Sequence, residues 1–293
     1  MRVLALAGAV LALGGSSVVG KVATGGNPCG VAGAAGFVWV TDAASAELLK
    51  IDPASHQVVA RTKLDTTPCE LREAAGSLWI VTQSGKVDRV DPATGEVVAR
   101  VAVGRVTYDL AHAFGSVWVT NREGGTVQRI DPNRNAVVKT LRFPGQKPSG
   151  IVAAGGAIWV GDDYGSEVRR LDPRSYRWSK VRTRQLGSSW LAAAGPVVWV
   201  SNTLSNSVTR IDARRRVATR TVKVGRSPVN LEVVGGEVWV PNDGNATLSR
   251  LSSAGKLLET VKTSGNPAVV AGIGGDVWAS IFDAGEVWQI RPS

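Results

Sequence analysis

Glu70, Asp109 and Asn230 carry oxygen atoms of the kind that hold a hard cation such as Ca²⁺ or Mg²⁺. Trp190 and Tyr108 carry flat faces on which a sugar or an aromatic ring can stack. These residues converge only because the chain repeats. Aligned on a recurring tryptophan, the units place Cys29, Cys69, Tyr108, Ser149, Ser189, Val229 and Ala268 in one ring. The next ring is Gly30, Glu70, Asp109, Gly150, Trp190, Asn230 and Val269. In the second ring the repeat departs from itself, which is where chemistry would show. Two readings stand side by side: a ligand mouth with a metal site at Glu70, Asp109 and Asn230, or a solvated polar rim.

Other constellations are sparse. The chain holds two cysteines and two histidines, too few and too scattered for a zinc site. It has no Gly-rich phosphate loop, no GxSxG elbow and no HExxH helix. No catalytic set of residues is assigned. Cys29 and Cys69 hold the same position in consecutive units and are expected to form a disulfide between them, as an oxidising compartment allows. Asp42, Gln83, Asn121, Asp162, Asn202 and Asn242 recur after the tryptophan segments, and that recurrence points to turn closure. Asp162, with Asp163, Tyr164 and Asp243, could extend a binding surface. A basic rim is expected around Arg170, Arg174, Arg214, Arg215 and Arg216, either a patch for an anionic partner or a solvated face.

The elements that must position these residues follow from the tryptophans. Trp39, Trp79, Trp118, Trp159, Trp199, Trp239 and Trp278 recur at steps of about 40 residues, the period of a β-propeller blade. Within the third unit, "YDLAHAFG", "SVWVTN", "TVQRIDP" and "AVVKTLRF" each alternate apolar and polar residues over a strand's length. Asp52, Asp91, Asp131, Asp172 and Asp212 end the third strands and open turns. The spacing therefore predicts an all-β, seven-bladed propeller of four-stranded antiparallel blades over 16–293. The last unit stops one strand short. "VVGKVATGGNP" near the N-terminus matches "VVARTKLDTTP" one unit on, so the N-terminal strand is expected to complete the last blade and close the ring.

A 44% share of apolar and aromatic side chains is enough to fill the interfaces between such blades and argues against disorder. Residues 1–15 read as a signal peptide: Arg2 precedes an apolar run from Val3 to Leu13, with Ala12 and Gly14 as small residues for cleavage. The alternative is the end of a membrane segment. The run is too short to span a bilayer, so no stable span is expected in the mature chain. The expected location is extracytoplasmic, secreted or associated with the cell wall. The formal charge of +10 permits an anionic polymer as partner, and export makes nucleic acid an unexpected one.

"VWVTN", "VQRIDP", "VV" and "PSGI" together resemble the YVTN and virginiamycin B lyase-like propeller repeat, over Val18 to Pro292. The resemblance implies the propeller fold and a ligand mouth where the innermost strands begin. It is shared by lyases, lactonases, extracellular sensor domains and propellers without chemistry. For the streptogramin lyases it implies histidines and a glutamate around Mg²⁺, whereas this chain offers only His56, in a turn, and His112, in a strand. The reading is thus an exported non-enzymatic scaffold for a protein, a cell-wall polymer or a small molecule. One alternative is a metal-dependent lyase or lactonase at the mouth, with His112 as base. Another is the sensor part of a larger membrane protein.

Overall fold

The structure, a computed structural model, describes residues 15–104 and 106–293. Of the expected signal sequence 1–15, residues 1–14 lie outside the described residues. Every four-strand set starts with an inner strand and ends with an outer one. After β1 (Ser17–Ala23) come β2 (Pro28–Ala34), β3 (Phe37–Asp42), β4 (Glu47–Asp52) and β5 (Gln57–Lys63). Then follow β6 (Pro68–Ala74), β7 (Ser77–Thr82), β8 (Lys86–Val90) and β9 (Val97–Ala102), and β10 (Thr107–Ala113), β11 (Ser116–Asn121), β12 (Thr126–Asp131) and β13 (Ala136–Arg142). The middle of the chain holds β14 (Pro148–Ala154), β15 (Ala157–Asp162), β16 (Glu167–Leu171) and β17 (Trp178–Arg182), then β18 (Ser188–Ala194), β19 (Val197–Asn202), β20 (Ser207–Asp212) and β21 (Val217–Lys223). The last strands are β22 (Glu232–Val234), β23 (Glu237–Asn242), β24 (Thr247–Leu251) and β25 (Leu257–Lys262), then β26 (Pro267–Ile273), β27 (Asp276–Ile281) and β28 (Glu286–Arg291).

Pairing is antiparallel throughout. Consecutive strands form four-stranded sheets, except that β14–β17 and β18–β21 are joined into one eight-stranded sheet through the single pair Asp162 and Ser188. In the sheet of β26, β27 and β28, the fourth strand is β1, paired from Ser17 opposite Arg291 to Ala23 opposite Glu286. Arg250 ties both ends of the described chain, donating to Ser16 Oγ at 3.1 Å and to the Ser293 carbonyl at 2.9 Å.

Strand alternation puts each repeating tryptophan on a face that meets the next sheet. Trp39 packs with Leu71, Leu78 and Ile80, Trp118 with Ile151, Ile158 and Val160, and Trp278 with Val31, Val38 and Leu49. All seven are at most 2% exposed, which makes them the largest apolar contributors to the inter-sheet cores. The indole of Trp79 donates to the Ala74 carbonyl, and Trp39, Trp118 and Trp159 repeat this with Ala34, Ala113 and Ala154.

Inner strands lie beside one another: β2 against β6 and β26, β10 against β6 and β14, and β18 against β14 and β22. Hydroxyls on the second strands stitch them together. Thr120 Oγ1 donates to the Ser149 carbonyl, Ser201 Oγ to Val229 and Ser280 Oγ to Cys29, each at 2.7 Å. The approach is close enough that a side chain at Gly30 would run into the Cys69 carbonyl, so only glycine fits there. Asp52, Asp91, Asp131, Asp172 and Asp212 accept backbone N–H groups two residues on, as turn residues should.

Candidate functional site

The first residues of the inner strands converge at one end of the assembly. In β6, β10 and β18 the pairing register slips just after the strand begins, between Pro68 and Leu71, Thr107 and Leu110, and Ser188 and Trp190. Such an irregularity re-aims the side chains it contains. Glu70, Tyr108 and Asp109 lie within these slips, and Trp190 is the first paired residue after the third.

A cavity of about 540 Å³ opens there, lined by Cys29, Cys69, Glu70, Tyr108, Trp190 and Val229 among others. Tyr108 and Trp190 stack with ring centroids 4.8 Å apart and planes inclined by 26°. They come from β10 and β18, so the pair bridges over the intervening β14. On the far side of the stack is a smaller recess of about 200 Å³, walled by Arg122, Asp163, Tyr164 and Leu204. Arg122 forms an ion pair with Asp163 and sits over the Tyr108 and Tyr164 rings, at 5.4 and 5.9 Å from their centroids. Burial, followed by the charge of Asp163, pushes the Tyr108 phenol up, so it stays protonated. Cys29 and Cys69 are bonded on the cavity wall, with their Cα atoms 5.1 Å apart.

Behind Glu70 lies a buried charge cluster. Glu70 is 2% exposed and accepts from Asn230 Nδ2 on both carboxylate oxygens, at 3.1 Å each. Arg72, two residues further along the same face of β6, sets Nη1 at 3.6 Å from Glu70 and Nη2 at 3.7 Å from Asp109. Asp109 accepts the backbone N–H groups of Leu110 at 2.8 Å and Ile151 at 2.9 Å. Glu232, on β22, adds a third carboxyl whose charge is felt by Arg72. Two carboxyls thus share one guanidinium, with the charge of Glu232 close by. Burial pushes Glu70 up to about 7; Arg72 opposes the rise and Asp109 adds to it. Asp109 and Glu232 are raised by burial as well, with Arg72 as the chief opposing influence.

Of the residues singled out in the sequence, Glu70, Tyr108 and Trp190 line the cavity, while Asp109 and Asn230 sit buried behind it. Arg72, Glu232 and Arg122 were not anticipated. A signal for two of them exists: moving two residues along every inner strand gives Ala32, Arg72, Ala111, Val152, Ala192, Glu232 and Ala271, a ring in which only Arg72 and Glu232 are charged. Asp42, Asn121, Asp162, Asn202 and Asn242 bond neighbouring backbone and hydroxyl groups, with Asp42 Oδ2 and Asn242 Oδ1 left unpartnered among the described residues. Asp163 and Tyr164 do reach a recess. Arg174, Arg214 and Arg215 lie exposed in the turns opened by Asp172 and Asp212, well apart from the cavity lining.

Solved structures with this arrangement of strands are numerous. A streptogramin B lyase structure superposes with a TM-score of 0.79 at 13% identity, covering 95% of this chain and 97% of that one. A catalytically inactive virginiamycin B lyase from Staphylococcus aureus with quinupristin gives a TM-score of 0.78 at 15% identity, covering 94% of this chain and 99% of the other. This is a β-propeller with a virginiamycin B lyase-like fold. No protein-family model and no curated protein sequence matches the chain. At these identities the propeller shares a fold with the lyases, and its chemistry has to be argued from its own residues.

The Mg²⁺ that such lyases imply does not fit the residues present. Arg72 already supplies the positive charge between Glu70 and Asp109, and Asn230 turns its N–H donor, not its oxygen, toward Glu70. Both oxygens of Asp109 are occupied by backbone donors. His112 is exposed further down β10 and outside the cavity lining, and His56 pairs with Gln289 at 2.6 Å. Among the described residues no group of three or more His, Cys, Asp or Glu is placed to hold a metal ion. The expected Ca²⁺ or Mg²⁺ site at Glu70, Asp109 and Asn230 is therefore replaced by an internal ion cluster.

Proposed function

We propose that this chain is an exported, seven-bladed propeller, closed by β1, that binds a small amphipathic ligand at its mouth. In this reading the eight-stranded sheet counts as two blades. The pairing of β1 with β28 and the packing of β2 against β26 support closure. The observation that carries the ligand reading is the Tyr108–Trp190 stack, which forms a flat wall to a cavity of about 540 Å³ that has a single buried carboxyl, Glu70, at its back. Small-molecule sites have this make-up: mostly apolar walls with a few fixed polar groups. A planar ring would slide against the indole, and a donor on the ligand would meet Glu70.

The test is a thermal-shift screen of cyclic and aromatic compounds on wild type and Trp190→Ala in parallel. Compounds that raise the melting temperature of wild type alone support the mouth. Hits that stabilise both proteins equally place binding elsewhere.

A catalytic reading has one observation in its favour. A carboxyl held at about 7 in a cavity is matched to general acid–base work near neutral pH, and the superposed structures are lyases. Glu70 would then take a proton from a bound substrate without a metal. Turnover of a cyclic ester by wild type, lost in Glu70→Gln, would move the propeller into that class.

A further inference from the structure

At four sheet junctions one polar side chain packs near the repeating tryptophan and reaches the turn of the next sheet. Arg89, over Trp79, donates to the Pro132 carbonyl at 2.7 Å and to Asn135 Oδ1 at 3.0 Å. Arg129, over Trp118, donates to the Tyr176 hydroxyl at 3.1 Å. Arg210, over Trp199, donates to the Ser253 carbonyl at 3.2 Å, and Gln289 bonds to His56. At the corresponding place between β14–β17 and β18–β21 the two positions are occupied by Arg170 and Arg216. The acceptor has been exchanged for a second guanidinium. Arg170 Nε is buried without a hydrogen-bond partner among the described residues. Its pKa is lowered by burial and then by the charge of Arg216.

Beside this junction the outer strands β17 and β21 run next to each other and leave a groove of about 570 Å³. Arg182, Arg184, Arg216 and Arg220 line it, and all four are exposed. The nearby carboxylate of Glu167 is taken up by Arg169 and Lys180. From Arg216 to Arg220 the strand advances about 13 Å, so the charges are strung along a line and not focused on one point. Guanidinium forks match the oxygens of a phosphate, and a row of them without acidic partners suits a chain that carries one charge per repeat.

We propose that the groove between β17 and β21 is a binding site for an extended phosphate polymer. Arg216 and Arg220 hold successive phosphates from the β21 side, and Arg182 and Arg184 hold them from the β17 side. The site shares no residue with the mouth cavity, so it stands or falls independently of the ligand reading above.

The experiment measures binding of long-chain inorganic polyphosphate to the full chain by calorimetry at low and at physiological salt. Inorganic phosphate and poly-glutamate serve as comparison probes. The variants are Arg216→Gln with Arg220→Gln, and a charge-matched control, Arg134→Gln with Lys139→Gln, on another sheet. Polyphosphate should bind more tightly than either comparison probe, and the groove variant should lose about tenfold or more in affinity while the control stays near wild type. Equal losses in the two variants would reduce the effect to net charge and overturn the site. Poly-glutamate binding as tightly as polyphosphate would overturn the assignment to phosphate. All the substituted groove residues are exposed, so unchanged melting temperatures are expected and serve as the folding control.

Discussion

Arg72 on β6 reaches Asp109 on β10, with Nη2 3.7 Å from Oδ1, while its other terminal nitrogen faces Glu70 at 3.6 Å. A partly buried cation thus links two neighbouring inner strands through their buried carboxyls. Removing it leaves Glu70, Asp109 and Glu232 facing one another without a counter-charge. Arg72→Met is expected to cost about 3–5 kcal/mol in urea unfolding at pH 8, the usual penalty for orphaning buried charge. At pH 5 the loss should shrink, because the carboxyls can take up protons instead. An equal loss at both values would mean that Arg72 acts through packing alone.

Glu70 gives a second pH signature. Its carboxyl is held at about 7 in the fold, against an ordinary value of 4.5. Between those two values the folded protein keeps a proton that the unfolded chain has released, so stability falls as pH rises through this window and levels off above it. The fall from this one group is on the order of 3 kcal/mol. Glu70→Gln removes it, so the variant should be less sensitive to pH and more stable than wild type at pH 8. A smaller slope remains, since Asp109 and Glu232 are raised in the same direction. Urea midpoints measured at pH 5 and pH 8 on both proteins decide the matter.

The strand pattern and the mouth were legible because repetition makes them so. Trp39 and its six counterparts mark one position per unit, and any residue aligned to them inherits a corresponding place in its sheet. That is how the sequence alone sets Glu70, Tyr108 and Trp190 around one cavity. Legibility stopped at partner choice. Asn230 has both a donor and an acceptor, and only its approach to Glu70 across the centre selects the donor. Arg72 lies two residues beyond the ring that looked informative, and the direction in which a long guanidinium turns is settled by the carboxyls of other strands. The same limit applies to Arg170 and Arg216: the sequence marks them as part of a basic rim, and their place at a sheet junction emerges only when the partners at other junctions are seen.

The disulfide should stabilise the fold chiefly through the unfolded chain. Cys29 and Cys69 are 40 residues apart and join β2 to β6. Closing a loop of that length removes chain entropy worth about 4 kcal/mol. The Cys29→Ser, Cys69→Ser double variant should therefore unfold at a clearly lower denaturant concentration while giving the same far-ultraviolet circular dichroism. The neighbouring hydroxyl stitches, such as Thr41 Oγ1 donating to the Cys69 carbonyl, remain in place and should preserve the native arrangement. A midpoint unchanged from wild type would show that the bond adds nothing to stability.

Residues before 26 bear on the whole assembly through β1. Val22 is 3% exposed and packs with Trp278 and Val287, and the β1 ladder runs the length of β28. Ser16 donates its backbone N–H and its hydroxyl to Glu259 on β25, the neighbouring sheet. A chain starting at residue 26 loses the ladder, the Val22 contact and this tie in one step. It exposes β28 as an unpaired edge carrying Val287 and Ile290. Such an edge seeks a partner strand. The shortened chain should melt several degrees below the chain starting at residue 15 and run as dimers or larger species in size-exclusion chromatography with light scattering. If it stays monomeric with the melting temperature of the longer chain, β1 is dispensable and the sheets hold together without it.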